Sequence, residues 1–288
     1  MIDFFIAYRP VVDLFLLSVG FAFSQWIVLR AGAFSVANAA LTSIGAYTAA
    51  ILTVDHGVHW SVSLVAATLI GALVGIVLSL PLARLRGVYQ AIATLAFVQV
   101  VVSLTLYAEG LTHGALGFNG IPKIVDTSGL LIAAAGVTYL MLAIDATRIG
   151  RAFEALRQDE AVAASLGVSI AFHQRLAFAL SGAIAGLFGG LEAFHSYSLQ
   201  PESFGFGFMV AALSYVVLGG RRSVLGPIVG AAILVSLPEI ARPLAEARML
   251  VYGLILMAVI AFLPRGVVDT ALSALRKRRL AGSTDARS

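Results

Sequence analysis

Long apolar stretches alternate along the chain with short breaks of charge, glycine or proline, and the spacing of those breaks sets the first expectation. A bilayer crossing needs about 20 apolar residues in a helix. Stretches of that kind run over 11–29, 33–54, 61–83, 89–108, 129–146, 174–199, 205–219, 224–240 and 249–263. The pattern predicts an all-α integral membrane protein, a polytopic helical bundle of about nine transmembrane segments. Two of the stretches, 205–219 and 249–263, are short for a full crossing, so each is either tilted in a thinner region or partly re-entrant.

Composition narrows the class. Of 288 residues, 60% are hydrophobic and 12% charged, with a mean hydropathy of +0.96. Soluble domains carry about 25% charge, so a water-soluble fold is excluded. The absence of cysteine rules out a disulfide framework, a thiolate metal site and a cysteine nucleophile. The chain opens Met1-Ile2-Asp3-Phe4-Phe5 with its first arginine at Arg9, which lacks the basic lead of a removable signal, so the N-terminus is expected to be retained.

Placing successive loops on alternate sides collects 15 of the 19 basic residues on one side, leaving only Arg9, Lys123, Arg242 and Arg248 on the other. Basic loops stay in the cytoplasm, so the N-terminus is expected outside and the C-terminus inside. The run Arg276-Lys277-Arg278-Arg279 reads as an anchor on anionic lipid of the bilayer, with no nucleic-acid role.

Chemistry is bounded by what is missing. A phosphate-cradling loop needs Gly-Lys-Ser/Thr, yet Lys123 follows Pro122 and Lys277 follows Arg276. No His-Glu-x-x-His and no Gly-x-Ser-x-Gly occurs, and His56, His59, His113, His173 and His195 all avoid the middle of a predicted span. His56 and His59 offer only two ligands on one outer loop and read as surface histidines. No catalytic, cofactor or metal site is expected in this chain.

Polar residues within spans are costly in lipid unless they face a cavity or another helix. Ser35, Asn38, Thr42 and Gly45 recur at helical spacing in the second span, either as the lining of a translocation path or as interhelical hydrogen bonds. In the fourth span Gln90 and Thr94 share one face, while Gln99 and Ser103 share another about 140° round, so only one pair can face a given path. The candidate path residues are Ser35, Asn38, Thr42, Thr94 and Gln99. Glu192 and His195 lie one turn apart near the outer surface, as a proton-coupling pair or as a solvated helix end, and Asp13 sits at the outer edge of the first span within reach of water. Glycines at four-residue spacing (Gly71 and Gly75; Gly182, Gly186 and Gly190; Gly226 and Gly230) predict tightly packed helices.

The longest charged segment runs from Arg148 to Arg175 on the cytoplasmic side and includes Arg151, Glu154, Arg157, Asp159 and Glu160. Phe153, Leu156, Ala163 and Leu166 recur at helical spacing, which predicts one or two short amphipathic helices on the membrane surface ending near Gly167. Mixed rather than uniformly basic charge favours a protein partner over lipid.

In this segment a family pattern is readable: Arg148-Ile149-Gly150-Arg151, Ala155, Arg157, Asp159-Glu160, Ala163 and Leu166-Gly167, then a helix beginning Leu176-Ala177-Phe178. Further fragments follow the same pattern from about residue 30 to 266. They are Gly45-Ala46-Tyr47, Arg84-Leu85-Arg86-Gly87-Val88-Tyr89, Leu111-Thr112 leading to Gly117, Gly120 and Ile121-Pro122, Leu218-Gly219-Gly220, Leu225-Gly226-Pro227, Leu237-Pro238-Glu239 and Leu263-Pro264-Arg265-Gly266. Together they resemble the permease subunits of branched-chain amino acid ABC importers, and the M-type more than its H-type partner. The chain departs from that pattern at His113 and Arg222, where the family commonly has glycine, and near Gln99, where it has an acid.

The resemblance implies a permease domain over 1–266 with a coupling region at 148–172, in which Arg151, Arg157, Asp159, Glu160, Ala163 and Gly167 belong to a coupling helix that docks on a separate ATPase, followed by a basic cytoplasmic tail over 267–288. It implies ABC ATPase subunits that bind the ATP, a second, H-type permease subunit, a periplasmic solute-binding protein and a place in the bacterial inner membrane. Relatives of this kind import branched-chain amino acids, and also urea, amides and aromatic acids. The competing class is a secondary transporter, which needs inverted repeats and discontinuous midplane helices.

Overall fold

The computed structural model describes residues 2–240 together with 253, 257, 266–270 and 273, with side chains from residue 8 to 238 and in the later group. Arg242, Arg248, Arg265, most of the predicted span 249–263 and the run Arg276 to Arg279 lie outside the described residues. The chain forms two compact units, 1–213 and 214–288.

The first unit is helical. Its elements are α1 (Ile2–Arg30), α2 (Asn38–Val54), α3 (Trp60–Leu82), α4 (Val88–Tyr107), the single turn α5 (Glu109–Thr112), α6 (Thr127–Ala146), the short α7 (Arg148–Gln158) and α8 (Glu160–Ser165), α9 (Ile170–His195), and the start of α10 (Phe206–Gly219). Among the described residues six helices are long and apolar enough to cross a membrane: α1, α3, α4, α6, α9 and the segment Pro201–Gly219 containing α10. The chain is thus a helical membrane protein. Helix α2 spans 17 residues, about 26 Å at 1.5 Å per residue.

Small residues place α9 at the centre. A Cβ at Gly71 would run into the backbone of Gly182, one at Gly75 into that of Phe178, and one at Gly186 into that of Ala67, so α3 and α9 lie backbone against backbone. Helix α2 approaches α9 in the same way through Gly45 against Gly186 and Gly189 against Thr42. In lipid, where burying apolar surface between helices gains little, such close approach is what dispersion requires. The predicted glycine packing is therefore present. Gly20 of α1 receives the ring of Phe188, and Ser24 Oγ lies 3.0 Å from the Ser181 carbonyl, which fixes α1 on the same helix.

The two ends of this unit carry different side chains. At one end Arg30, Asp145, Glu154, Arg86 and Glu160 gather. At the other, Arg9 pairs with Asp126 at 3.2 Å and the strands β1 (Phe118–Asn119) and β2 (Ser198–Leu199) form one antiparallel rung. Alternation of the described crossings accounts for both gatherings.

Within the second unit the end of α10 packs on α11 (Leu225–Ile240) through glycine, Gly219 against the backbone of Gly226 and Gly230 against that of Tyr215. Between them the backbone N–H of Arg222, a position where the chain departs from the family pattern, donates to Asp269 at 3.0 Å.

Candidate functional site

The second span begins later than its hydrophobicity suggests. Residues 33–36 are not helical, because α1 ends in a left-handed turn at Gly32 and α2 starts only at Asn38. Non-helical backbone beside lipid must find donors and acceptors within the protein. Here the Phe34 N–H donates to Gln90 Oε1 (2.9 Å), the Val36 N–H to Thr94 Oγ1 (3.1 Å), and Gln25 Nε2 donates to the Ser35 carbonyl (2.6 Å). Gln90 and Thr94 thus serve a broken helix entry. That role was invisible in the sequence, where the mostly apolar run continued through 33–37; the single signal was Gly32 two residues after Arg30.

Ser35, Asn38, Thr42 and Thr94 are all buried inside the chain. Ser35 stands outside α2, so the polar stripe is helical only from Asn38 onward. The Thr42 hydroxyl donates to the Asn38 carbonyl at 2.8 Å, and both amide atoms of the Asn38 side chain have no protein partner. Gln99 is separate from this group. It lies exposed on the opposite face of α4 with Ser103, and with Val100, Leu104 and Tyr107 it lines an open groove of about 320 Å³.

The charged segment after Ala146 folds into two short helices, α7 and α8, broken at Asp159. Thr147 caps α7, its hydroxyl accepting the Ile149 N–H at 3.2 Å. Asp159 caps α8, its carboxylate accepting from Ala161 (2.8 Å) and Val162 (3.1 Å). Helix α8 ends at left-handed Gly167 with the Val168 N–H on the Ala163 carbonyl (3.1 Å), the double-bonded helix stop that favours glycine. Phe153, Leu156 and Ala163 are buried as expected, whereas Leu166 is 76% exposed. The break at Asp159 shifts the helical phase, so the last apolar residue no longer shares a face with the first two.

Around these helices Glu154 is held by Arg157 (Nε 3.1 Å) and Gln158 (2.9 Å). Although partial burial pushes its carboxyl up, those hydrogen bonds and the charges of Arg30 and Arg157 hold it below the usual glutamate range. Glu160 accepts from Gln174 Nε2 at 3.4 Å and faces Arg86 at 3.5 Å, while the Arg151 guanidinium donates to the Ala146 carbonyl at 3.3 Å. Arg148, Arg151, Asp159, Val162, Leu166 and Phe172 stay exposed, a mixed charged and apolar surface.

Of the two readings of Glu192 and His195, the carboxylate–imidazole pair does not form. The imidazole turns instead to α1, with Nε2 at 3.7 Å from Asp13 and Nδ1 at 3.3 Å from the Val125 carbonyl. Asp13 is not at a watery edge but 5% exposed, because α1 extends outward to Ile2 and α9 covers it. Among the described residues no three His, Asp or Glu side chains converge in a way that could hold a metal.

A glycine-packed helical core and six helices long and apolar enough to cross a bilayer define a multi-pass helical membrane protein. The profile of the family described as branched-chain amino acid transport system / permease component matches residues 6–260, and the chain belongs to that family. It is 33% identical over 260 residues to the high-affinity branched-chain amino acid transport system permease protein LivM of Salmonella typhimurium, covering 78% of this chain and 61% of that protein. It is 29% identical over 229 residues to the ribose import permease protein RbsC of Escherichia coli K12, covering 72% of this chain and 68% of that protein. A probable branched-chain amino acid transport permease protein LivH of Methanocaldococcus jannaschii is 26% identical over 265 residues, covering 81% and 82%. The chain spans about three-fifths of the length of the LivM relatives it matches. No solved structure matches.

Proposed function

We propose that the chain is the transmembrane permease subunit of an ATP-driven importer and passes a small solute, a branched-chain or related amino acid, delivered by a periplasmic binding protein. ATP is bound and hydrolysed in separate subunits, and this chain carries out no chemistry of its own. The observation that carries the reading is the α7–α8 surface: two capped helices, anchored from below by Phe153 and Leu156, that present Arg151, Asp159, Val162 and Leu166 outward. A docking platform for an ATPase needs that combination of a fixed base and a mixed outer face. The six long crossings, the shorter α2 and α11, and the apolar stretch 249–263 of the sequence together make up nine spans.

The path runs along the outer face of α4, closed by a second permease subunit. An amide and a hydroxyl at Gln99 and Ser103 are costly against lipid and are instead covered by protein or water. The groove has no charged lining residue, so a zwitterion or a neutral solute is held weakly, by dipoles, and leaves readily. Selectivity then rests with the binding protein, which accommodates relatives named for branched-chain amino acids and for ribose. Thr94 supports the path from behind by accepting the Val36 N–H and so holding the entry of α2 against α4, and Ser35, Asn38 and Thr42 are buried on that inner side.

Glu160→Arg removes the contact to Gln174 and Arg86 and reverses the outer charge, while Gly167→Leu forces a branched side chain into a left-handed position at φ +83°. Both variants are expected to insert normally and to lose uptake in vesicles that contain the whole importer. Wild-type uptake in both would overturn the docking assignment. Because the native chain lacks cysteine, sidedness is tested separately. In intact cells, with an impermeant thiol reagent, His56→Cys and Lys123→Cys are expected to label and Ser165→Cys is not.

A further inference from the structure

We propose that Arg30 is the positioning residue that carries movement of the α7–α8 surface into the membrane helices. The inference rests on the reading of that surface as the ATPase platform.

Arg30 closes α1, and its side chain is 10% exposed. Its two terminal nitrogens divide between two elements: Nη1 meets Glu154 Oε2 of α7 at 2.6 Å, and Nη2 meets Asp145 Oδ1 at the end of α6 at 2.8 Å. The guanidinium lies 5.7 Å from the centre of the Trp26 ring one turn back on its own helix, which limits its swing. Glu154 in turn is fixed to α7 by Arg157 and Gln158. A displacement of α7 therefore reaches α1 and α6 through one rigid fork, rather than through a flexible side chain.

The backbone makes a second, independent connection at the same place. The helix stop after Arg30, with the Ala33 N–H on the Val28 carbonyl at 3.1 Å, depends on left-handed Gly32. A Cβ on Gly32 would lie 3.2 Å from the Leu156 carbonyl oxygen and 3.3 Å from Arg157 Cα, so α7 rests directly on the end of α1. From there α1 is locked to the central α9 by Phe188 over Gly20 and by Ser24 on Ser181. The ion pair of Arg86 with Glu160 spans 3.5 Å with Arg86 79% exposed, too loose and wet to transmit a push.

A guanidinium fork is not replaced by an ammonium, which is a point charge and cannot hold two carboxylates with separate, fixed donors. The test uses the complete importer in vesicles, with its ATPase subunits and binding protein, and reads solute transported per ATP hydrolysed. That ratio does not move when a variant merely folds in lower yield. Arg30→Met is expected to lower it roughly tenfold or more, as for coupling effects between distant sites, and Arg30→Lys to fall between Arg30→Met and the native chain. Where Arg30→Met fails to insert, Glu154→Gln, which keeps the shape and removes the charge, is expected to show the same loss. A native ratio in Arg30→Met, or in Glu154→Gln when Arg30→Met does not insert, overturns the assignment of Arg30. If Glu160→Arg and Gly167→Leu still block uptake, the platform stands without it; if all of these transport normally, the platform reading fails as well.

Discussion

The two faces of α4 carry nearly the same side chains and meet opposite fates. On the inner face Gln90 and Thr94 are buried and accept hydrogen bonds from the backbone of residues 34 and 36. On the outer face Gln99 and Ser103 line an open groove. The difference shows that a polar residue in a membrane helix does not mark a path by itself. It marks an unmet need, which is met either by irregular backbone nearby or by something outside the chain. The periodicity separates the two faces, and the position of a broken neighbouring helix decides which is which.

The largest effect is expected on the inner face. Gln90→Leu combined with Thr94→Val strands the buried Val36 N–H and the part-buried Phe34 N–H, at a cost of about 1–3 kcal/mol for the first and less for the second. Thermal unfolding in detergent should shift down accordingly, and uptake should fall only as far as the amount of inserted protein falls. A stable double variant with abolished uptake would show instead that this pair meets the solute.

On the outer face the opposite division is expected. Gln99→Leu with Ser103→Ala should leave stability within about 0.5 kcal/mol, as for substitutions away from packed features. Uptake per inserted subunit should drop several-fold. Unchanged uptake would remove the path from this face of α4.

Asn38 sharpens the contrast, since its side chain is buried with neither amide atom partnered in the chain. Replacing an unsatisfied polar group by an apolar one of similar size is neutral or stabilising, so Asn38→Leu should raise stability by up to about 1 kcal/mol. Loss of uptake in a fully stable Asn38→Leu would mean that the amide meets the solute, and that the path reaches inside this subunit.

The smallest effect concerns pH. The Glu154 carboxyl is held below the usual glutamate range, chiefly against the effect of its own partial burial, by the hydrogen bonds of Arg157 and Gln158 and the charge of Arg30. A group depressed on folding adds stability above its unfolded value and loses it as pH falls through the folded one. The native chain should therefore weaken as pH drops below about 4.5, measured by proteolysis of α7, and Glu154→Gln should lose this dependence. An unaltered acid profile in that variant would place the sensitivity elsewhere.

Much of this was legible without coordinates. The hydrophobic runs located α3, α4 and α6 to within two residues, because a long apolar helix bounded by charge has no other stable place in a bilayer. The surface helices at 148–165 and their stop at Gly167 followed from spacing and capping chemistry, which are local. The glycine pairs of α3 and α9 announced close packing, though not which helices would meet.

What the sequence by itself determined, then, is the class of molecule, the place of its long apolar helices and the two polar faces of α4. Only the tertiary structure decided the interruption at 33–36, the capture of His195 by Asp13 rather than Glu192, and the convergence of Arg30 with Asp145 and Glu154 across 115 and 124 positions of chain. Periodicity is a property of neighbours along the chain, and hydropathy averages over a window. A hydrogen bond between distant segments depends on which helices lie side by side, and that is set by close packing of small residues whose partners no local pattern names.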